Sequence, residues 1–524
     1  MLVRLLATAG VLALSAGAAS AEYTLTILHI NDFHARFEPI NGSDSTCGEK
    51  DAAENKCFGG IARLVTAVTD ARSRTANSLL LDAGDQFQGS LFYNHYKGKV
   101  SAEFMNALGF EAMAVGNHEF DDGPPELVHF LDEIRFPMVM ANADLSREPL
   151  LKGRIAKSVV VEKEGEKIGI IGLTPRDNPE LASPGPNIIF TPPAEAVQAE
   201  VDTLTAAGVN KIIVLSHSGY EVDKQIAAET AGVDVIVGGH SHTLLSSTDP
   251  AAAGPYPTMV NGVPIVTAYA YGKYLGELTV TFDDAGKVIS ASGAPLLLDA
   301  AVAEDAPAQQ RLAELAVPLE ELKARVVAVS EAPIDGSRDH CRQRECEMGT
   351  LIADAQLDRV KDQGITISLV NGGGVRASID GGDVTMGEVL TVLPFQNTLA
   401  TFQTKGATVV AALENGVSQL DQGAGRFLQV AGLKYAFDPA QPAGSRVSDV
   451  QVRNGEGWTA IDPAASYGVV VNNYVRSGGD GFAMFTHDVA NAYDFGPDLA
   501  DVLAEYLAKA GPYKPYTDGR ITRK

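Results

Sequence analysis

Apolar residues along this chain gather in short runs, each closed by a polar or glycine-rich cluster. Six such runs fall before residue 300: TLTILHI (24–30), SLLLDA (78–83), AMAV (112–115), KIGIIGL (167–173), KIIVLS (211–216) and VDVIVGG (233–239). Runs this short and this continuous predict strands covered on both faces. Between them, GGIARLVTAVTDARSR (59–74) and TPPAEAVQAEVDTLTAAG (191–208) repeat their apolar residues with helical spacing. Alternation of the two patterns predicts a layered α/β domain from Tyr23 to about Asp299.

Residues 305–327 again carry helical spacing, with Pro318 as a candidate kink, and predict a linker helix. From about Val329 a second α/β unit is predicted. GTLIADAQLDRVK (349–361) and MGEVLTVL (386–393) read as helices; ITISLVNGG (365–373), TLATFQT (398–404) and YGVVVNNYV (467–475) read as strands. The expected organisation is a leader over 1–21, a first domain over 22–300, a helical linker over 301–328 and a second domain over 329–524.

At 524 residues the chain is too long for one core, in keeping with two domains. Its net charge of −25 repels nucleic acid and anionic membrane, though a local positive pocket can still hold one small anion. The first residues pair Arg4 with a short apolar stretch and end in Ala19-Ser20-Ala21, the pattern of a cleavable signal peptide. The expectation is a periplasmic or secreted protein that starts at Glu22 and has no membrane anchor. Cys47, Cys57, Cys341 and Cys346 form two near-neighbour pairs, which in an exported chain predict two local disulfides. A four-cysteine zinc site is the alternative.

The candidate chemistry sits just after the strands of the first domain. Asn31, Asp32 and His34 follow the first run, and Asp85 follows the second. Asn117 and His118 follow the third, His217 the fifth, and His240 and His242 the sixth. Open α/β sheets bind ligands beyond the carboxyl ends of their strands, so these segments should converge. One histidine after a strand is usually an ordinary polar residue. Five of the ten histidines at strand ends point instead to a shared task. Carboxylate, amide oxygen and imidazole together suit zinc, manganese, iron or cobalt. Two such sets joined by one carboxylate make a two-metal centre.

In the second half, SLVNGGGVRASI carries Asn371, three glycines and Arg376 after a strand, and HCRQREC carries Arg342 and Arg344 between the paired cysteines. Arginines placed this way on an acidic chain suit an anion. Phe395, Tyr474 and Phe482 lie on loop segments, and two such rings could stack a nucleobase, with Asp480 between glycines gripping ribose hydroxyls.

The series ILHINDFH, LLDAGDQFQGS, AVGNHEFDDG, VLSHSG and GGHSHT resembles the motifs of the calcineurin-like metallophosphoesterases. Their order and spacing resemble most the exported 5′-nucleotidase family, which includes periplasmic UDP-sugar hydrolases and ecto-5′-nucleotidase. The resemblance implies a four-layer αββα catalytic domain, a helical linker and a C-terminal α/β substrate-binding domain. It implies that Asp32, His34 and His242 hold one metal, that Asn117, His217 and His240 hold the other, and that Asp85 bridges them. Zinc is the leading expectation for both ions. His118 would face the phosphate and Asp121 would orient it, while Glu119 would only shape the turn. A metal-bridging hydroxide would attack phosphorus in line.

For the second domain, the resemblance implies that Phe395 and Tyr474 sandwich the base and that Asp480 binds ribose. Arg342 and Arg376, with Asn371, would hold the nucleoside part or accept its phosphates. Two departures stand out: Thr350 replaces a frequent Asn and is expected to cap its helix, and Tyr474 replaces a frequent Phe. The family also implies that the two domains rotate about the linker.

The expected activity is release of 5′-phosphate from nucleoside monophosphates such as AMP, with nucleoside di- and triphosphates or UDP-sugars as further substrates, by a monomer or homodimer. Alternatives on the same scaffold are a 2′,3′-cyclic-nucleotide phosphodiesterase with 3′-nucleotidase activity and a thiosulfate-pathway hydrolase. A nucleotide-binding or adhesion protein is the non-enzymatic alternative. His29, His95, His129, His340 and His487 have no matching context and read as ordinary structural or surface histidines.

Overall fold

The computed structural model describes residues 22–524 except 43, 45, 46, 76, 394, 396, 421, 422, 456 and 495. The leader expected over 1–21 lies outside the described residues. The first domain holds two six-stranded sheets. In the first, Tyr23–Ile30 lies between Tyr274–Phe282, antiparallel, and Ser78–Asp82, parallel, with Leu28 opposite Leu80. In the second, Ile212–Ser216 is flanked in parallel by Glu166–Leu173 and Val235–Gly238.

Alternation along the strands builds the layers. Leu25, Ile27, Leu79 and Leu81 pack with Ile168, Ile170, Ile213, Leu215, Val235 and Val237 in a core between the two sheets. The residues of opposite parity, Leu28, Ile30 and Leu80, face helices that include Ile61–Arg74 and Lys99–Leu108. On the far side, Ile171, Val214 and Ile236 meet the helices Pro193–Ala206 and Tyr220–Glu229. The order is therefore helix, sheet, sheet, helix, the expected four layers. Period-two burial on both faces also explains why the strand sequences read as continuous apolar runs.

Ala306–Lys323 forms one helix that continues through Pro318, and its Leu315 and Leu319 join the core of the first domain. The second domain centres on a five-stranded sheet, in which Ile367–Asn371 lies between Leu428–Ala431 and Ser466–Asn472. The two domains touch: the Asn94 amide donates to both oxygens of Asp501 at 3.0 and 2.8 Å.

Both predicted disulfides are present, Cys47–Cys57 and Cys341–Cys346, which removes the four-cysteine zinc alternative. One expectation is corrected here. Thr350 does not cap the helix Glu347–Val360; it lies buried inside it. The cap is Cys346, extended at φ −132°, whose sulfur accepts the Gly349 N–H at 3.2 Å.

Candidate metal centre and nucleotide site

The strand ends of the first domain converge. One ligand atom each from Asp32, His34 and His242 falls within 4.8 Å of the other two, and the same holds for Asp85, His217 and His240. His34, Asp85 and His118 form a third such group between them. The Asp85 carboxylate faces both sides: its Oδ2 is 2.9 Å from His217 Nε2 and 4.0 Å from His34 Nε2. His242 Nε2 lies 3.3 Å from Asp32 Oδ1. His34 and His242 point their Nε2 atoms at one another across 3.1 Å.

The histidines are aimed from behind. His34 Nδ1 lies 3.1 Å from the Phe87 carbonyl and His217 Nδ1 lies 2.6 Å from the Ala83 carbonyl. A ring that donates from Nδ1 presents the Nε2 lone pair forward, the arrangement metal-binding imidazoles use. Asn31 orients the first carboxylate by donating to Asp32 Oδ2 at 2.7 Å while accepting the Ala268 N–H at 2.8 Å.

The backbone is strained at these positions. Asp32, His34, Asp85, His240 and His242 all have positive φ, between 46° and 72°. Side-chain-bearing residues enter this region at a cost of about 1–3 kcal/mol each, and such clusters mark functional sites. Gly116 leaves the space they need, because a Cβ there would stand 2.1 Å from Asp85 Oδ1.

The donor set fits divalent metal ions. Asn117 is wholly buried, and its amide oxygen and nitrogen both lack a well-formed hydrogen bond. Burial pushes His34 and His240 down to about 3, which favours the neutral ring that a metal ligand needs. At His217 burial also opposes the charge, but the carboxylates of Asp85 and Asp32 raise the ring to about 10. The pocket's potential thus calls for positive charge beside those carboxylates.

His118 is buried with its Nδ1 2.6 Å from Asp121 Oδ2, and its backbone N–H donates to Asp85 Oδ1 at 2.9 Å. Burial disfavours the imidazolium, yet Asp121 and Asp85 overcome it and raise the ring to about 9.

Sequence reasoning left Glu119 with the turn alone. The structure gives its buried carboxylate four backbone N–H groups: Asp85 at 3.1 Å, Gly116 at 2.7 Å, Gln86 at 2.8 Å and Phe87 at 3.3 Å. It ties the Asp85 loop to the Asn117 loop, a link invisible until the two loops meet. Glu119→Gln turns half of the acceptor into a donor that faces N–H groups. Metal affinity should fall about 10- to 100-fold, read by competition with a chromogenic chelator.

Two tyrosines were also missed. Tyr271 packs its ring 5.7 Å from His34 and 5.2 Å from His242, with the Arg36 guanidinium 5.1 Å over its face. Tyr493 comes from the second domain, and its phenol lies against the Asn117 amide and near Asp121 and Asp85. Neither lies in a metal-ligand motif, and only tertiary proximity reveals them.

In the second domain, Asn371 donates to Asp480 Oδ2 at 2.8 Å and accepts from Asn472 at 2.9 Å. The Tyr474 hydroxyl lies 3.3 Å from Asp480 Oδ1, and the half-exposed ring covers Gly479. Arg376 stacks its guanidinium 5.3 Å over Phe395 and reaches the Gly373 carbonyl at 3.4 Å. Arg342 is buried and donates to the Gly423 carbonyl at 3.2 Å, whereas Arg344 is exposed. Of the remaining histidines, His29 is buried against Tyr256 with a 2.8 Å contact, and His129 and His340 pair with Glu126 and Asp335.

Comparison with known proteins decides the family. Residues 25–244 match the calcineurin-like phosphoesterase family, and residues 326–487 match the 5′-nucleotidase C-terminal domain. A 5′-nucleotidase of Diplobatis ommata is 39% identical over 528 residues, covering 96% of this chain and 90% of the relative. The chain belongs to the 5′-nucleotidase family. Two solved structures are similar. A 5′-nucleotidase precursor from Thermus thermophilus is 44% identical with a TM-score of 0.60, over 96% of this chain and 99% of that one. An NAD nucleotidase from Haemophilus influenzae is 27% identical with a TM-score of 0.80, over the same shares. The protein is a metal-dependent nucleotide phosphohydrolase with 5′-nucleotidase activity.

Proposed function

We propose that this 5′-nucleotidase releases phosphate from nucleoside 5′-monophosphates such as AMP, with nucleoside di- and triphosphates and UDP-sugars as further substrates. The observation that carries the reading is the pair of ligand clusters facing each other across Asp85. Asp32, His34 and His242 would hold one ion, and Asn117, His217 and His240 the other, with Asp85 shared. Nitrogen-rich donors mixed with carboxylate favour zinc. When bound, the ions supply Lewis acidity and lower the pKa of water to near neutral.

The side chains supply the rest. His118, held by Asp121, stands where it can donate to the phosphoryl oxygens as their charge grows. The substrate enters through the second domain. Phe395 and Tyr474 would stack the base, Asp480 with Asn371 would take the ribose, and Arg342 and Arg376 would hold the anion. Restricting the nucleoside in this way orients the phosphate for in-line attack.

Rotation of one domain on the other, about the helix Ala306–Lys323, would carry the nucleotide to the metals. One comparison supports such motion: the more identical neighbour superposes less well, 0.60 against 0.80, as two rigid domains in a different mutual orientation would. The two disulfides and the leader-like first residues support export to the periplasm or medium. No helix among the described residues is long and apolar enough to cross a membrane.

One panel tests this reading. AMP, UMP, UDP-glucose, ATP and 2′,3′-cyclic AMP are assayed before and after chelation, then after return of zinc, manganese or cobalt. AMP hydrolysis should dominate, vanish with the metals and return best with zinc. Preference for the cyclic nucleotide, or turnover that survives exhaustive chelation, would overturn it.

A further inference from the structure

A fully buried glutamine lies behind the proposed nucleotide site, where the sheet would otherwise place an apolar side chain. Gln429 sits on the strand Leu428–Ala431, paired with Val370 and one position from the partner of Asn371. Its alternate neighbour Ala431 joins the core beneath the helix Glu347–Val360, while Leu428 and Val430 join the opposite core. A buried amide there costs stability unless its donors and acceptor are satisfied.

Among the described residues, its side-chain hydrogen bonds go to one loop. Gln429 Nε2 donates to the carbonyls of Cys341 at 3.0 Å and Arg344 at 2.7 Å, and Oε1 accepts the Cys346 N–H at 3.1 Å. These groups bracket Arg342. The Cys341–Cys346 disulfide closes the same loop, with Cα atoms 5.1 Å apart, but it fixes only the ends. Between the cysteines the Gln343 and Arg344 N–H groups turn back to the His340 carbonyl at 3.1 and 3.0 Å, and Gln429 ties that turn to the sheet through the Cys341 and Arg344 carbonyls. Two glycines make room for this packing. A Cβ on Gly349 would stand 2.3 Å from Gln429 Cγ, and one on Gly372 would stand 2.3 Å from the Cys341 carbonyl oxygen.

We propose that Gln429 is a positioning residue for nucleotide binding, holding the Arg342 loop in register with the Asn371 turn. The inference rests on the reading of Arg342 as a nucleotide-binding residue. Gln429 is fully buried, so its effect passes through the loop.

The test compares Gln429→Leu, Gln429→Glu, Arg342→Ala and the double variant Gln429→Leu/Arg342→Ala in the full, metal-loaded protein. Substrates are AMP and p-nitrophenyl phosphate, an ester without a nucleoside. Gln429→Leu should raise KM for AMP about ten-fold with kcat little changed. Its p-nitrophenyl phosphate hydrolysis and metal content should match the parent. The double variant should be no worse than Arg342→Ala, because a residue that acts through another is not additive with it. Gln429→Glu keeps the Cys346 contact but loses both donations, and it carries the same KM reading if the leucine variant does not fold.

An unchanged KM in the Gln429 variants beside a raised KM in Arg342→Ala would overturn the inference. So would equal losses on both substrates, or additive effects in the double variant. An unchanged KM in Arg342→Ala would place the failure in the reading of Arg342 itself.

Discussion

Asp85→Asn should lower kcat for AMP by about 10³-fold or more, and metal content should fall from about two ions per chain to about one. The expectation follows from where the carboxylate stands. It is almost wholly buried, 2.9 Å from His217 Nε2 and facing His34 Nε2 on its other side. Asparagine keeps the volume and can still accept the His118 N–H through Oδ1. What it removes is the negative charge shared by both clusters. Elemental analysis and steady-state kinetics on the same preparation check the result, with circular dichroism showing that the fold persists. A variant that keeps two ions and most of its turnover would show that Asp85 does not bridge them.

His118→Asn is expected to lower kcat by about 10²- to 10³-fold while KM and metal content stay near the parent values. The ring lies against the Asp85 cluster but is held from the other side by Asp121 at 2.6 Å. That anchor fixes which nitrogen points forward and favours the charged ring despite burial. Its contribution should therefore grow with charge on the phosphoryl group rather than with ground-state binding. Asp121→Asn should show a weaker loss of the same kind, about ten-fold, because it removes the orientation and leaves the ring. A raised KM with unchanged kcat in His118→Asn would mean that the residue binds substrate and does no more.

Much of this was legible in the chain itself. The central strands of the first domain are buried on both faces, so their sequences are continuous apolar runs, and the polar residues that follow them stand out. The hairpin Tyr274–Phe282 and Val288–Leu297 was not read, because its second strand lies at a sheet edge and is largely exposed. Its sequence, with Ser290, Ser292 and Gly293, looks like a loop. The helix Leu499–Ala510 went unread although Leu499, Val502, Leu503 and Leu507 form a clear buried stripe.

In the site, the candidate ligands that converge were visible because metal chemistry restricts them to a few residue types. Glu119, Tyr271, Tyr493 and Gln429 were not visible. Glutamate and glutamine act there on backbone groups, and any backbone has those. The tyrosines matter only through neighbours from distant parts of the chain. Thr350 shows the converse error: a residue with capping chemistry was assigned a cap that the disulfide cysteine already supplies.

His34 and His242, whose ring nitrogens meet, are separated by 208 positions along the polypeptide. Joining such remote segments is among the slow events of folding, since loop entropy is lost before the contact is gained. On the proposed ligand set, a nascent fragment that stops short of residue 242 lacks one ligand of the centre, however well its early strands have formed. Products truncated before His242 should therefore be inactive, which assay of such fragments checks.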